Sequence, residues 1–219
     1  MFLGHLALGF AGKRVAPRAS LGALFAASQF ADLLWPVLVG LGLERVVIVP
    51  GTTAVTPLDF VSYPWSHSLL MMAGWGFLIG ALAWLATRDL GTATVIGALV
   101  ASHWALDWIT HRPDMPLIPG GARYGLGLWN SVGATVAVEL GLFVLGLWLY
   151  SKSTRPRDRT GRWSLAALAV FLVGVYAANL SSTPPSVAAI WQGALAGGAI
   201  LVLWAWWIDR HRELVPPLG

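Results

Sequence analysis

The sequence predicts an all-α fold: a polytopic helical membrane protein with about six transmembrane helices plus a short N-terminal half-helix, in one integral membrane domain over residues 1–219. Three observations carry this prediction. Hydrophobic residues make up 57% of the chain and charged residues only 11%, against roughly 25% charged in an ordinary soluble domain. Mean hydropathy is +0.68. Several apolar runs approach the roughly 20 residues that cross a bilayer. The thirteen Trp residues also fit, because indole rings favour membrane interfaces.

Taken in order, Phe2 to Ala11 is apolar but too short to span, and reads as a half-helix or interfacial helix ended by Gly12-Lys13-Arg14 and Pro17. Lys13 and Arg14 follow the apolar stretch instead of preceding it, which argues against a cleaved signal peptide. Ser20 to Leu43 is the first full span, interrupted in polarity by Gln29 and Asp32. Glu44 to Ser66 is an irregular connection whose Val46-Val47-Ile48-Val49 run reads as a short strand or a membrane-surface segment. Ser66 is the expected N-cap of the next helix, His67 to about Thr87. After the Arg88-Asp89 turn comes a span from about Leu90 to Thr110, then a Pro- and Gly-rich loop, Arg112 to Gly127. Leu128 to Tyr150 is the fourth span. A basic loop holds Lys152, Arg155, Arg157, Arg159 and Arg162, and Trp163 to Leu180 and Val187 to Ile208 are the last two spans. Asp209 to Gly219 is a polar tail with Pro216-Pro217 near its end.

Six spans place both termini on one side. With the N-terminus cytoplasmic, the inner segments hold eleven of the fourteen Lys and Arg residues and the outer segments only Arg45, Arg112 and Arg123, as the positive-inside rule requires. The net charge of +4 is therefore read as a topology signal, with no nucleic-acid partner. Cysteine is absent, which excludes disulfides and thiolate ligands. There is no phosphate-binding glycine loop, serine nucleophile elbow or zinc ribbon.

Charged groups inside a span cost several kcal/mol on insertion scales, so the exceptions locate function. Between Trp163 and Ile208 there is no Asp, Glu, Lys, Arg or His. Residues 163–208 read as a structural helix pair and residues 1–150 as the half that carries a metal site. His103, Asp107 and His111 are spaced i, i+4, i+8. Each step of four advances about 6 Å and turns about 40° on a helix, so the three share one face. His103 and Asp107 are the strongest pair of metal-ligand candidates. His67, at a helix start, is favoured as a neutral imidazole by the helix dipole. Asp32 is the lone acid of the first span and must be protonated, paired or ligated. His5 is a ligand only if the N-terminal segment dips into the bundle as a re-entrant half-helix. His111 reads equally as an outer ligand or an interfacial polar residue. Glu139 reads as a general base beside a metal-bound water or, preferably, as a buried partner for Arg112 or Arg123. Asp59 reads as a solvated loop residue and His211 as a surface residue.

The same residues carry a family resemblance. Gly4-His5-Leu6-Ala7-Leu8-Gly9, Phe30-Ala31-Asp32-Leu33-Leu34-Trp35-Pro36, Trp65-Ser66-His67-Ser68 and Ser102-His103-Trp104-Ala105-Leu106-Asp107 resemble, in order, the motifs of the predicted membrane-bound metal-dependent hydrolases, also described as LexA-binding, inner-membrane-associated hydrolases. The likeness covers roughly residues 1 to 130. Leu34 stands where that family has the second Asp of its acidic motif, and Tyr63-Pro64-Trp65 where it usually has Arg-Gly. The resemblance implies a bacterial or archaeal inner-membrane protein that uses a divalent metal for hydrolysis.

His and Asp donors suit zinc, with iron and manganese as alternatives. The expected ligands are His5, Asp32, His67, His103 and Asp107, with His111 optional, and Asp107 alternatively orients an imidazole from behind. The expected partners are membrane lipids, and the expected substrate is a lipid-like ester or phosphoester. Two other readings compete with hydrolysis: a transporter or pathway for protons or metal ions, and a non-catalytic membrane protein tied together by a His/Asp cluster.

Overall fold

The computed structural model describes residues 1–215, and the Pro216-Pro217 end of the tail lies outside them. The described residues are mostly helical. Helix α1 spans Leu3–Val15, α2 Leu21–Ser28, α3 Phe30–Gly40, α4 Pro64–His67, α5 Leu69–Thr87 and α6 Leu90–Thr110. Helix α7 spans Val132–Ser153, α8 Arg159–Ser181 and α9 Val187–Arg210. By length and composition α5, α7, α8 and α9 are able to cross a membrane, and α2 with α3 makes a fifth crossing if that bent pair is one span. The expected span α6 falls outside that set. It is long enough, but Thr92, Thr94, Ser102, His103 and Asp107 dilute its apolar content.

The first expected span is not straight. It breaks at Gln29, and α2 and α3 meet at 57°. Ser20 starts α2 by accepting from the Ala23 amide at 3.1 Å, a side-chain cap of the first turn. The break leaves the Ser28 carbonyl outside the helical ladder, free to take a partner from another helix.

Helix α1 runs on to Val15, past the expected end at Ala11, and it is buried in the bundle. Leu3, Leu6 and Phe10 join Phe25, Phe143 and Leu168 in the main apolar core. Its far end is held by Lys13, whose ammonium donates to Asp209 Oδ2 and to the Ala19 carbonyl, each at 2.8 Å. Two helix pairs approach backbone to backbone. A Cβ at Gly146 of α7 would lie 2.3 Å from the Ala7 carbonyl oxygen of α1, and one at Gly76 of α5 would lie 2.7 Å from the Gly97 oxygen of α6. Such small-residue contacts are the usual cement between helices in lipid, where no hydrophobic force drives them together.

Short strand pairs close the ends. Strands β1 (Arg45–Ile48) and β2 (Leu58–Ser62) pair antiparallel with Val47 opposite Asp59, so Val46, Val47 and Ile48 of the apolar run lie in a short strand. Strands β3 (Met115–Pro116) and β4 (Arg123–Tyr124) pair within the loop after α6. Strand β5 (Thr154–Pro156) pairs with β6 (Arg212–Leu214), so the tail folds back on the basic loop. That loop is also shorter than expected, because Asp158 caps α8 and Arg159 and Arg162 are already helical. At the other end of α7, Leu128–Asn130 forms a 3-10 turn and Ser131 caps the helix.

Candidate metal centre

Six sequence candidates, His5, Asp32, His67, His103, Asp107 and His111, meet near the C-terminal end of α6. His5 comes from α1, Asp32 from α3, His67 from the end of α4, and His103 and Asp107 from α6, with His111 just beyond it. His5, His67, His103, Asp107 and His111 are buried, whereas the Asp32 side chain is 42% exposed. Asp32 thus forms the open side of the cluster.

Three of the imidazoles are fixed in one tautomer by what lies behind them. His103 Nδ1 is 2.9 Å from the Ser28 carbonyl; a carbonyl only accepts, so Nδ1 carries the proton. His67 Nδ1 is 2.7 Å from Ser66 Oγ, and that hydroxyl donates its only proton to Glu44 Oε2 at 2.6 Å. His67 Nδ1 must therefore donate. His111 Nδ1 donates to Asp114 Oδ1 at 2.9 Å. Burial also holds the His111 imidazole below its ordinary pKa. In the neutral form of each ring, Nε2 is left with its lone pair.

All three Nε2 atoms face one carboxylate oxygen. Asp107 Oδ2 lies 3.1 Å from His103 Nε2, 3.6 Å from His67 Nε2 and 4.0 Å from His111 Nε2. Asp32 Oδ1 is 3.7 Å from both His67 Nε2 and His103 Nε2. His103 Nε2 is buried with no hydrogen-bond partner among the described residues. Two ring nitrogens and two carboxylates thus converge. Their negative charge calls for a cation beside them: a proton on a ring, the Met1 ammonium that donates to Asp107, or a metal ion. Donor atoms of Asp32, His67 and His103, and separately of His5, His103 and Asp107, are close enough together to hold one ion. Neutral imidazole with an outer hydrogen-bond acceptor behind it is the usual form of a metal-ligating histidine.

The remaining members occupy other positions. His5 stacks on His103 with ring centroids 3.6 Å apart, and its Nε2 is 3.0 Å from Asp107 Oδ1. The amino group of Met1 also donates to Asp107 Oδ1. Glu139 pairs with neither Arg112 nor Arg123. Its Oε2 accepts the backbone N–H groups of Phe2 at 2.8 Å, Leu3 at 2.6 Å and Gly4 at 3.4 Å, which caps the start of α1. The two arginines are engaged elsewhere. Arg112 bridges Asp59 and Asp114, so Asp59 is ion-paired and not simply solvated. Arg123 donates to the Val61 carbonyl. His211 binds Asp158 at 2.7 Å, away from the cluster.

Ser66 does not cap α5 as the sequence suggests. Ser68 does, accepting from the Met71 amide, and Ser66 is released to relay between Glu44 and His67. Glu44 also accepts the Trp65 and Ser66 amides at 2.8 and 2.9 Å, which pins the α4 turn that carries His67. Glu44, Ser28, Tyr63 and Asp114 are the functional partners that the sequence reading missed. Tyr63 donates to Asp114 Oδ1 at 2.8 Å; burial and the neighbouring carboxylate hold its phenol protonated, above the ordinary tyrosine range. Asp114 was legible as an acid three residues after His111. The Ser28 carbonyl was not, because a backbone group leaves no mark in a sequence.

A cavity of about 620 Å³ opens onto the cluster. Asp32, His67, Asp107, His111 and Glu139 lie in its polar part, and α8 and α9 supply much of its apolar wall.

The model of one family, the YdjM inner membrane protein family, matches residues 1–182, and the chain belongs to that family. No curated protein and no solved structure matches it.

Proposed function

We propose that this member of the YdjM inner membrane protein family is a metal-dependent hydrolase whose site lies within the membrane domain. The observation that carries the reading is the convergence of His67 Nε2 and His103 Nε2, each on a ring whose Nδ1 is hydrogen-bonded from behind, upon Asp32 and Asp107. In a low-dielectric bundle such a set is costly without a cation.

His67, His103, Asp32 and Asp107 would hold the ion, with His5 and His111 beside them. The donors are nitrogen and carboxylate oxygen, a set that suits zinc, iron or manganese. A divalent ion there supplies Lewis acidity and lowers the pKa of a bound water towards about 7. The chain supplies the rest. Glu44 and Ser66 orient the His67 ring from behind, and Ser28 does the same for His103. Asp32 faces the cavity, where substrate enters. Glu139 holds α1 through Oε2 and lines the cavity, which makes it the candidate general base, a role that needs geometry within hydrogen-bond reach of the water.

The family assignment and the long apolar helices support an inner-membrane location. A six-span arrangement, with α2–α3 as one bent span and α6 as another, is consistent with two further features. The β5–β6 pair and the Lys13–Asp209 ion pair fall at one end of the bundle, and that end carries most of the basic residues, as a cytoplasmic face should.

The test is hydrolysis of a panel of lipid esters and phosphoesters by detergent-purified protein. The reading expects turnover that a chelator abolishes and added zinc, iron or manganese restores. Metal or proton flux through proteoliposomes, with no hydrolysis of the panel, would instead favour the transport reading.

A further inference from the structure

We infer that the cavity beside the His/Asp cluster is the chamber for one acyl chain of a membrane lipid, whose ester or phosphoester head lies at Asp32, His67 and Asp107. This deepens the hydrolase reading by naming its substrate class. It rests on that reading for the chemistry but not for the binding.

The cavity is polar at one end and apolar along its depth. Asp107 lies within one turn of the end of α6, at the bundle end where the β1–β2 connection and the α8–α9 loop also contribute to the lining. The wall on α9 runs from Ala189 to Val202, a length of about 20 Å at 1.5 Å per residue. One leaflet of bilayer hydrocarbon is about 15 Å deep, half of the full apolar thickness. The chamber is therefore deep enough for a leaflet-length chain when the head sits at the cluster. Its volume, about 620 Å³, lies within the range of small-molecule sites, roughly 300 to 1,000 Å³.

The α9 wall is shaped for an occupant. Ala189, Gly193, Gly197 and Leu201 are spaced four apart and share one helix face lining the cavity. A Cβ added at Gly193 or Gly197 would meet nothing within 4 Å, so the two glycines front open space and no neighbouring helix. Three residues that carry unpartnered buried donors also contribute to the lining. Gln29, Trp35 and Tyr176 line the same cavity and are each more than nine-tenths buried. The Gln29 amide nitrogen, the Trp35 indole nitrogen and the Tyr176 hydroxyl have no hydrogen-bond partner among the described residues. Buried donors without acceptors are costly. Gln29 and Trp35 stand three residues either side of Asp32, Gln29 at the α2–α3 break and Trp35 within α3.

The experiment uses full-length protein in detergent, with native mass spectrometry as the binding readout and palmitoyl lysophosphatidylglycerol as the probe. Two controls accompany it: glycerophosphoglycerol, which is the head without the chain, and hexadecyltrimethylammonium, which is a chain without acceptor oxygens. The inference expects one lysolipid per protein and no retention of the free head. Gly197→Leu, which fills the chamber without touching the cluster, should weaken lysolipid binding by at least about tenfold while its metal content stays that of wild type. Gly197→Leu should weaken the ammonium amphiphile as well, since that probe shares the chain and not the head. Undiminished lysolipid binding by Gly197→Leu would overturn the inference. Retention of the free head as strongly as the lysolipid would overturn it too, and would assign the chamber to a soluble phosphoester. Lysolipid binding in a protein that holds no metal would sustain the chamber and remove the hydrolase reading, so the two fail separately.

Discussion

His103 and Ser28 are joined by a 2.9 Å hydrogen bond from the imidazole Nδ1 to a backbone carbonyl, and that carbonyl is available only because the helix breaks at Gln29. The bend in the first span and the tautomer of the central histidine are therefore one structural fact. A straight helix from Ser20 to Leu43 would keep the Ser28 carbonyl in its own ladder and leave Nδ1 without an acceptor.

The Glu44–Ser66–His67 relay separates orientation from folding. In Ser66→Ala the Glu44 carboxylate still accepts the Trp65 and Ser66 amides, so the α4 turn should persist. His67 loses its outer partner, and metal affinity should fall about 10- to 100-fold, as read by competition with a calibrated chelator. Glu44→Ala should lose affinity and thermal stability together, because it also strands buried amides.

Glu139 acts first as a cap. Glu139→Leu leaves the amides of Phe2, Leu3 and Gly4 facing an apolar side chain, and each stranded group costs about 1–3 kcal/mol. A large fall in melting temperature is expected, with loss of bound metal as α1 and His5 shift. Glu139→Gln keeps an acceptor and should melt within a few degrees of wild type. Any hydrolase activity lost in that variant then reports the base and not the cap.

Close helix contact is tested at Gly146. A side chain there would strike the Ala7 carbonyl of α1, so Gly146→Val should destabilise by about 1–3 kcal/mol or more. Gly141, on the same helix, has nothing within 4 Å of a built Cβ. Gly141→Ala should be neutral or stabilising by up to about 1 kcal/mol. Reversible unfolding in mixed micelles distinguishes the two.

Acid should loosen the loop after α6. Burial works against ionisation of Asp114, but hydrogen bonds from His111, Tyr63 and Arg112 outweigh it and hold the carboxyl below its ordinary value. A depressed carboxyl contributes stability that is complete above the unfolded value, near pH 4, and is lost as pH falls through the folded one. Protection factors for amide exchange at residues 111–117, corrected for the intrinsic rate at each pH, should therefore fall below about pH 4 in wild type. In Asp114→Asn the protection should already be low at neutral pH and nearly independent of pH.

Much of this was legible in the sequence. Apolar run lengths located α5, α7, α8 and α9 to within a few residues, and ionisable residues in apolar surroundings pointed to all six of the cluster's side chains. Helix spacing placed His103 and Asp107 on one face, and α1 is buried in the bundle, which brings His5 to the cluster. The rest depended on partners far along the chain. Gln29 reads as a polar interruption, and nothing in its neighbours distinguishes a tolerated residue from a 57° bend. Ser66 and Ser68 are both good cap residues; only Glu44, 22 positions earlier, decides that Ser66 serves His67 and leaves the cap to Ser68. Glu139 carries a charge that suggested an arginine partner, whereas three backbone amides at the start of α1 satisfy it.

The central claim is that the lone pairs of His67 and His103 face Asp32 and Asp107 in order to hold a metal ion. The most direct measurement is the metal content of detergent-purified wild-type protein and of His103→Ala, by inductively coupled plasma mass spectrometry. The account predicts about one tightly held equivalent of zinc, iron or manganese in wild type and its loss in the variant. Absence of bound metal from wild-type protein after loading with each ion in turn would contradict it, and would leave a protonated His/Asp cluster in its place.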